Sequence, residues 1–250
     1  MTQTQIIVLA AGHGQRMNNK ILPKVLIPLE GQPLIKHLLI AIEQSGVGAR
    51  PVIVIGQKAG LVKESLGENY QYVYQTEQLG TGHAVSVTQD ALKDKAENIM
   101  VLYGDHPYVS AETIRNLAQV HQASDSVITM ATVKVPDFNG WRTGFYDFGR
   151  VIRNQAGEVA AIIERKDATP QQLEIKEGNP SYFCFEAEWL WSNLNKIKNN
   201  NSQKEYYLTD LAGIACSEGY KITTVAIEPR EALGVNTPEQ LVLLESLHRT

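Results

Sequence analysis

The first half of this chain alternates strand-length apolar runs with amphipathic stretches, and that alternation limits the folds open to it. Ile6 to Ala10, Val52 to Ile55, Tyr70 to Tyr74 and Ile99 to Tyr103 read as strands. Between them, Pro33 to Ser45 puts Leu34, Leu38, Leu39 and Ile42 on one side of a helix, and Thr81 to Leu92 is also helical in pattern. A helix over Ala111 to His121 then precedes a strand over Val127 to Val135. Strand and helix taken in turn predict βαβ units: an α/β, Rossmann-like, mostly parallel sheet with helices on both faces.

The second half is less regular. Arg150 to Arg153 and Val159 to Glu164 flank the turn Asn154-Gln155-Ala156-Gly157 and predict a hairpin. A strand over Tyr182 to Phe185, helices near Glu188 to Ile197 and Leu208 to Glu218, and a strand over Ile222 to Ile227 follow. Thr237 opens a last helix with Pro238 at its first position. These elements predict a smaller lobe beside the sheet. With 250 residues, 43% of them apolar, the chain has enough material for one α/β domain, expected over residues 1–250, its halves meeting near residue 110.

Composition removes several classes. A formal net charge of −4 argues against a protein that coats nucleic acid, because counterion-releasing surfaces are basic. Cys184 and Cys216 lie far apart with no CxxC, so neither a zinc site nor a disulfide framework is expected. Reduced thiols suit a cytoplasmic protein. The N-terminus lacks the pattern of a signal peptide, and the apolar runs are too short to span a bilayer.

In open α/β sheets the ligand crevice lies at the carboxyl ends of the strands. Gly12-His13-Gly14-Gln15-Arg16 and Asp105 both fall at such ends and are expected to converge. Two glycines let a backbone turn sharply and bring its N–H groups to an anion, and Arg16 adds a fork of donors. An ordinary βα turn also favours glycine. Met17 stands where a dinucleotide fingerprint needs a third glycine, and no GxxxxGK[ST] run occurs. Lys24 follows the turn closely enough to fold back over it, and phosphoryl or nucleotidyl transfer requires such charge stabilisation. Downstream, Gly80 and Gly82 permit close approach of a flat ring, and Gln75 and Gln78 suit the edges of a base. Thr81 reads equally as a helix N-cap. Asp105 is a candidate Mg²⁺ ligand or a turn former; His106 has no assigned role.

Taken in order, LAAGHGQRM, PKVLIPL, QTEQLGTGHAV, YGDHP, GRVIR, IIERKDAT, NNNSQKEYYLTD and GVN resemble the bacterial N-acetylglucosamine-1-phosphate uridylyltransferases of the sugar nucleotidyltransferase superfamily. The resemblance runs from Ile6 to about the final helix and implies the nucleotide-diphospho-sugar transferase fold. It implies a nucleotide-binding half up to about residue 110 and a sugar-binding half after it. By the same resemblance Leu9, Ala10, Ala11, Gly12, Gly14, Gln75, Gly80 and Thr81 bind nucleotide, with Gln75 on the uracil. Arg16 and Lys24 lie on the triphosphate, and Asp105 and Asn236 hold Mg²⁺. Tyr103, Gly149, Glu164, Asn179, Tyr207 and Thr209 contact or flank the sugar, with Glu205 near them. The implied reaction is attack of N-acetylglucosamine 1-phosphate on the α-phosphorus of UTP, with release of pyrophosphate. The alternatives are another hexose 1-phosphate or dTTP, or a non-catalytic nucleotide-sugar-binding regulator.

Three departures bear on these expectations. Residues 137–148 carry an aromatic insertion whose rings either stack on a sugar or anchor the loop. Asn179-Pro180-Ser181 replaces the usual Asn-Thr-Gly and removes a backbone donor at 180. No hexapeptide repeats follow, so acetyltransferase activity and the trimer of the bifunctional proteins are not expected, and the chain is expected to be a monomer or weak dimer.

Overall fold

A computed structural model describes residues 4–12, 14–17, 21–48 and 50–248, so His13 of the glycine turn lies outside the described residues. Strand β1 (Thr4–Ala10) leads through a two-stranded hairpin of β2 (Pro28–Leu29) and β3 (Gln32–Pro33) into α1 (Leu34–Ser45). Next come β4 (Val52–Ile55), α2 (Ala59–Leu66) and β5 (Gln71–Tyr74). α3 (Thr81–Ser86), α4 (Gln89–Leu92) and β6 (Asn98–Tyr103) complete the first half. The single helix expected over 81–92 is thus two short ones. Thr88 returns its hydroxyl to the Val85 carbonyl at 2.7 Å and its N–H bonds the same oxygen, which tightens the turn and interrupts the helix.

β5, β4, β1 and β6 lie side by side and parallel, as the alternating pattern predicts. Successive side chains point to opposite faces. Ile7, Leu9, Val52, Val54, Ile99 and Val101 therefore join one core, which α3 covers with Ala84 and Val85. Ile6, Val8, Ala10, Ile53, Ile55, Met100 and Leu102 join the other, beneath Ile35, Leu38 and Ile42 of α1. Burial on both faces explains why these strands are nearly all apolar.

The second half begins with α5 (Ala111–Gln122), capped by Ser110, whose hydroxyl accepts from Thr113 N–H, and β7 (Ile128–Lys134). β8 (Gly149–Arg153) and β9 (Val159–Ile163) form the expected hairpin, with a bulge near Ile152. α6 (Pro170–Leu173), β10 (Glu177–Asn179), β11 (Phe183–Glu186) and α7 (Ala187–Asn193) follow, then α8 (Asp210–Ser217), β12 (Ile222–Ala226) and α9 (Pro238–His248). The sheet continues β6-β11-β7-β10-β8-β9, with β12 parallel to β7 on its other side. The strands of the smaller lobe, β10, β8 and β9, are antiparallel to their neighbours.

β10 and β11 are successive stretches of one antiparallel partner of β7. Gly178 pairs with Val133 and Phe183 with Met130, so the four residues Asn179 to Tyr182 stand opposite only Ala131 and Thr132. The surplus forms a bulge, and the sheet divides there: β11 pairs onward with β6, whereas β10 pairs with β8. The fork separates the end of β6 from the start of β8.

The aromatic insertion is a run of 3₁₀ turns over Gly140–Asp147. Phe145 is buried, and Phe138, Trp141 and Phe148 pack with it against Val133, Val135 and Leu244. Fully buried Arg150 fastens the segment: its guanidinium donates to the carbonyls of Phe148 and Tyr146 and lies 5.1 Å from the Phe138 ring centroid. Most of these rings anchor the loop. Phe148 also faces a cavity, as does its neighbour Asp147.

Candidate active site

A crevice of about 410 Å³ opens at the carboxyl ends of β1 and β6 and extends across the fork to β8. Leu9, Ala10, Ala11 and Gly12 supply one wall, Gln75, Gly80 and Thr81 a second, and Gly149, Glu164 and Asn179 the far end. Lys24, Tyr103, Asp105 and Asn236 also line it. Residues separated by more than 200 positions in the chain thus meet at one place, the end of the sheet where an α/β fold leaves a gap.

Lys24 sits at the centre of the charged cluster. Its ammonium is ion-paired with Asp105 and donates to Asn236 Oδ1 at 2.8 Å. Gly14 makes this position accessible: its φ is +61°, and a Cβ there would stand 2.8 Å from the Lys24 Cβ. Burial favours the protonated form of Asp105, but the charge and hydrogen bond of Lys24 outweigh it and hold the carboxyl below its usual range.

His106 has a structural explanation. Tyr182 donates its hydroxyl proton to the Glu231 carbonyl at 2.8 Å and lies 2.7 Å from His106 Nδ1, so that nitrogen carries the imidazole proton. Burial pushes the His106 pKa down, favouring the neutral ring. The ring packs on Gly234, where a Cβ would lie 2.5 Å from Nε2, and this contact sets the approach of the Gly234-Val235-Asn236 segment. The Asp105 carbonyl accepts from Val235 N–H at 3.0 Å and completes the tie.

At the second wall, buried Gln75 points Nε2 at the Gly80 carbonyl, 3.1 Å away, and at His83 Nδ1, 3.2 Å away. Its amide donors are occupied, and among the described residues its side-chain oxygen has no hydrogen-bond partner. Gln78 bonds the Gln75 carbonyl at 3.2 Å and lines the same wall. Thr81 is not the N-cap of α3; Gly80 precedes the helix, and the Thr81 hydroxyl accepts from Leu208 N–H at 2.9 Å.

At the far end, burial raises the pKa of Glu164, and the hydroxyl of Thr209, 3.0 Å away, partly opposes it. Thr209 therefore reaches the crevice only through Glu164. Tyr207 does not line the crevice; it opens on a pocket behind Glu164 with Asp167 and Asp210, and its hydroxyl accepts from Gln203 at 2.8 Å. Glu205 does line it. Arg16 is exposed and lines a second cavity of about 710 Å³, joined to the first along His106, Asp147, Phe148, Glu164 and Asn236. Asp147, Phe148 and Ser181 line the crevice too; the sequence marks their segments, 137–148 and 179–181, as departures without giving these three residues a role. Two of them sit just before Gly149, and Ser181 is two residues from Asn179.

Among the described residues no group of three or more His, Cys, Asp and Glu side chains is arranged to hold a metal alone. Asp105 and Asn236 nonetheless point two oxygens at one cation, the Lys24 ammonium. A pair of oxygens with room for phosphate and water is the donor set that Mg²⁺ takes in phosphate-binding sites. Among the described residues no helix is long and apolar enough to cross a membrane.

A forked α/β sheet with a cation-bearing crevice at the strand ends defines a nucleotidyltransferase domain. The MobA-like NTP transferase domain family matches residues 6–204, and the chain belongs to that family. It is 40% identical over 242 residues to the bifunctional protein GlmU of Brevibacillus brevis, a match covering 96% of this chain and 50% of that protein. The GlmU of Clostridium beijerinckii is 43% identical over 242 residues, covering 96% and 51%. The chain thus spans about half the length of the curated relatives it matches. The solved structure of UDP-glucose pyrophosphorylase complexed with UDP-glucose shares the fold, with a TM-score of 0.76 at 17% identity, covering 100% of this chain and 99% of that one.

Proposed function

We propose that this protein transfers UMP from UTP to a sugar 1-phosphate, N-acetylglucosamine 1-phosphate in the first instance, giving the UDP-sugar and pyrophosphate in the cytoplasm. The observation that carries this is the crevice itself. It unites Lys24, Asp105 and Asn236 with a base-sized wall on one side and buried sugar-type hydrogen-bonding groups on the other. The half of the chain up to about residue 110 takes the nucleotide and the remainder takes the sugar.

The acceptor phosphate oxygen attacks the α-phosphorus of UTP and pyrophosphate leaves. The nucleophile is already an anion, so no covalent enzyme intermediate is required. The protein brings two anions together, neutralises their repulsion and aligns them. Lys24 turns from Asp105 to the triphosphate, and Arg16, facing the adjoining cavity, meets the departing pyrophosphate. Asp105 and Asn236 would hold Mg²⁺, which would screen the phosphate charge. The free oxygen of Gln75 accepts from the N3–H of uracil or thymine, whereas cytosine has no proton at N3, and this favours UTP or dTTP over CTP.

Pyrophosphate release from UTP, dTTP and CTP with a panel of sugar 1-phosphates, with Mg²⁺ and with EDTA, tests the assignment. Turnover with UTP and N-acetylglucosamine 1-phosphate is expected, and EDTA should abolish it. Tight binding of a UDP-sugar with no turnover for any pair would overturn it in favour of a binding regulator.

A further inference from the structure

The bulge at the fork carries a residue that the reaction as outlined does not use. Ser181 has φ +68°, a left-handed conformation uncommon for a side chain with a Cβ. Such conformers persist where their surroundings over-determine them, and they concentrate at ligand sites. Here the surroundings are explicit. Pro180 fixes its own φ and has no N–H. Ser181 donates its N–H to Asn179 Oδ1 at 2.9 Å, and Asn179 Nδ2 lies 3.4 Å from the Ser181 hydroxyl. Asn179 is itself buried.

The bulge thus sets the Ser181 hydroxyl at the crevice beside Asn179, while the backbone donor at 181 is consumed and the one at 180 does not exist. Tyr103 at the end of β6 lines the same crevice, so Ser181 faces the main sheet as well as the smaller lobe. Bulges of this kind re-aim side chains beside functional sites.

We propose that Ser181 is a specificity-determining residue for the acceptor, its hydroxyl bonding a polar substituent of the sugar ring and so selecting sugars that carry that substituent. This rests on the sugar-1-phosphate transfer proposed above. The left-handed backbone positions the hydroxyl, and that role is distinct from the fold's need for a turn, because glycine would make the turn more readily.

The test uses the full chain as wild type, Ser181→Ala and Ser181→Gly, with pyrophosphate release followed at saturating UTP. Acceptors are N-acetylglucosamine 1-phosphate and analogues each lacking one ring substituent. Both variants should raise the acceptor KM about tenfold, the effect of one lost hydrogen bond, and leave the UTP KM within about twofold. The analogue missing the recognised substituent should lose about tenfold on the wild type and nothing further on Ser181→Ala. Ser181→Gly should melt no lower than the wild type, which separates lost recognition from lost folding. An unchanged acceptor KM in Ser181→Ala, or a rise only with glycine, would overturn the proposal while leaving the transfer activity intact. A wild type inactive on every acceptor would overturn both.

Discussion

Replacing Lys24 by Met probes the centre of the site. The Lys24 side chain is 15% exposed and that of Asp105 9%, so methionine keeps most of the packing but leaves a buried carboxylate without its counter-charge. Removing one partner of a buried pair costs about 3–5 kcal/mol, mostly the penalty of the charge left behind. The crevice admits water on one side, which favours the lower end, about 3 kcal/mol. For a chain of this size that corresponds to a fall in Tm of roughly 6–12 °C. Thermal unfolding without divalent metal measures it. Lys24→Met/Asp105→Asn, which removes both charges, should recover most of the loss. Mg²⁺ should raise the Tm of Lys24→Met more than that of the wild type, because the oxygens of Asp105 and Asn236 are then free of the ammonium. Turnover should fall by roughly 10²-fold or more, as when one charge-stabilising donor is removed from a transition state. A Tm within about 2 °C of wild type, or a double variant no more stable than Lys24→Met, would refute the pairing. A near-normal rate would refute the catalytic role.

Further outcomes follow from other parts of the molecule. Gly14→Ala forces a Cβ into left-handed backbone 2.8 Å from Lys24 Cβ, and should cost about 1–3 kcal/mol in denaturant unfolding and depress turnover with it. Arg150→Met leaves the carbonyls of Phe148 and Tyr146 without their donor and should cost about 2–4 kcal/mol, with faster proteolysis near residues 138–148. Burial pushes His121 down to about 4 from its ordinary 6.5, and it bonds Thr129 at 2.9 Å. The folded state therefore refuses a proton that the unfolded chain accepts: the stability is complete above pH 6.5 and declines as pH falls toward 4, by at most about 3 kcal/mol. His121→Gln should flatten that part of the stability curve; an unchanged acid limb would count against the buried neutral ring.

The sequence alone determined whatever depends on neighbours in the chain. Apolar period fixed β1, β4, β6, α1 and α5 to within a residue or two at each end, because a strand or helix must turn its apolar side to the core whatever lies beyond it. The glycine turn after β1 and the acidic end of β6 were legible for the same reason, as strand ends in a parallel sheet meet at one edge. The stretch 81–92 reads in sequence as one continuous helix, but the hydroxyl of Thr88 competes with the backbone there, an effect that apolar pattern does not register.

Tertiary structure decided what depends on distant partners. Lys24 meets Asp105 across 81 positions and Asn236 across 212, and no periodicity encodes that encounter. It set Arg16 in the adjoining cavity, put Thr209 behind Glu164, and turned most of the aromatic insertion inward as an anchor. It also made the bulge. Asn179-Pro180-Ser181 shows in sequence only as a replacement for Asn-Thr-Gly, but in the sheet two strands with different outer partners must share β7. Their divergence opens the crevice and fixes which hydroxyl faces it, because pairing register is a property of the whole sheet rather than of any three residues.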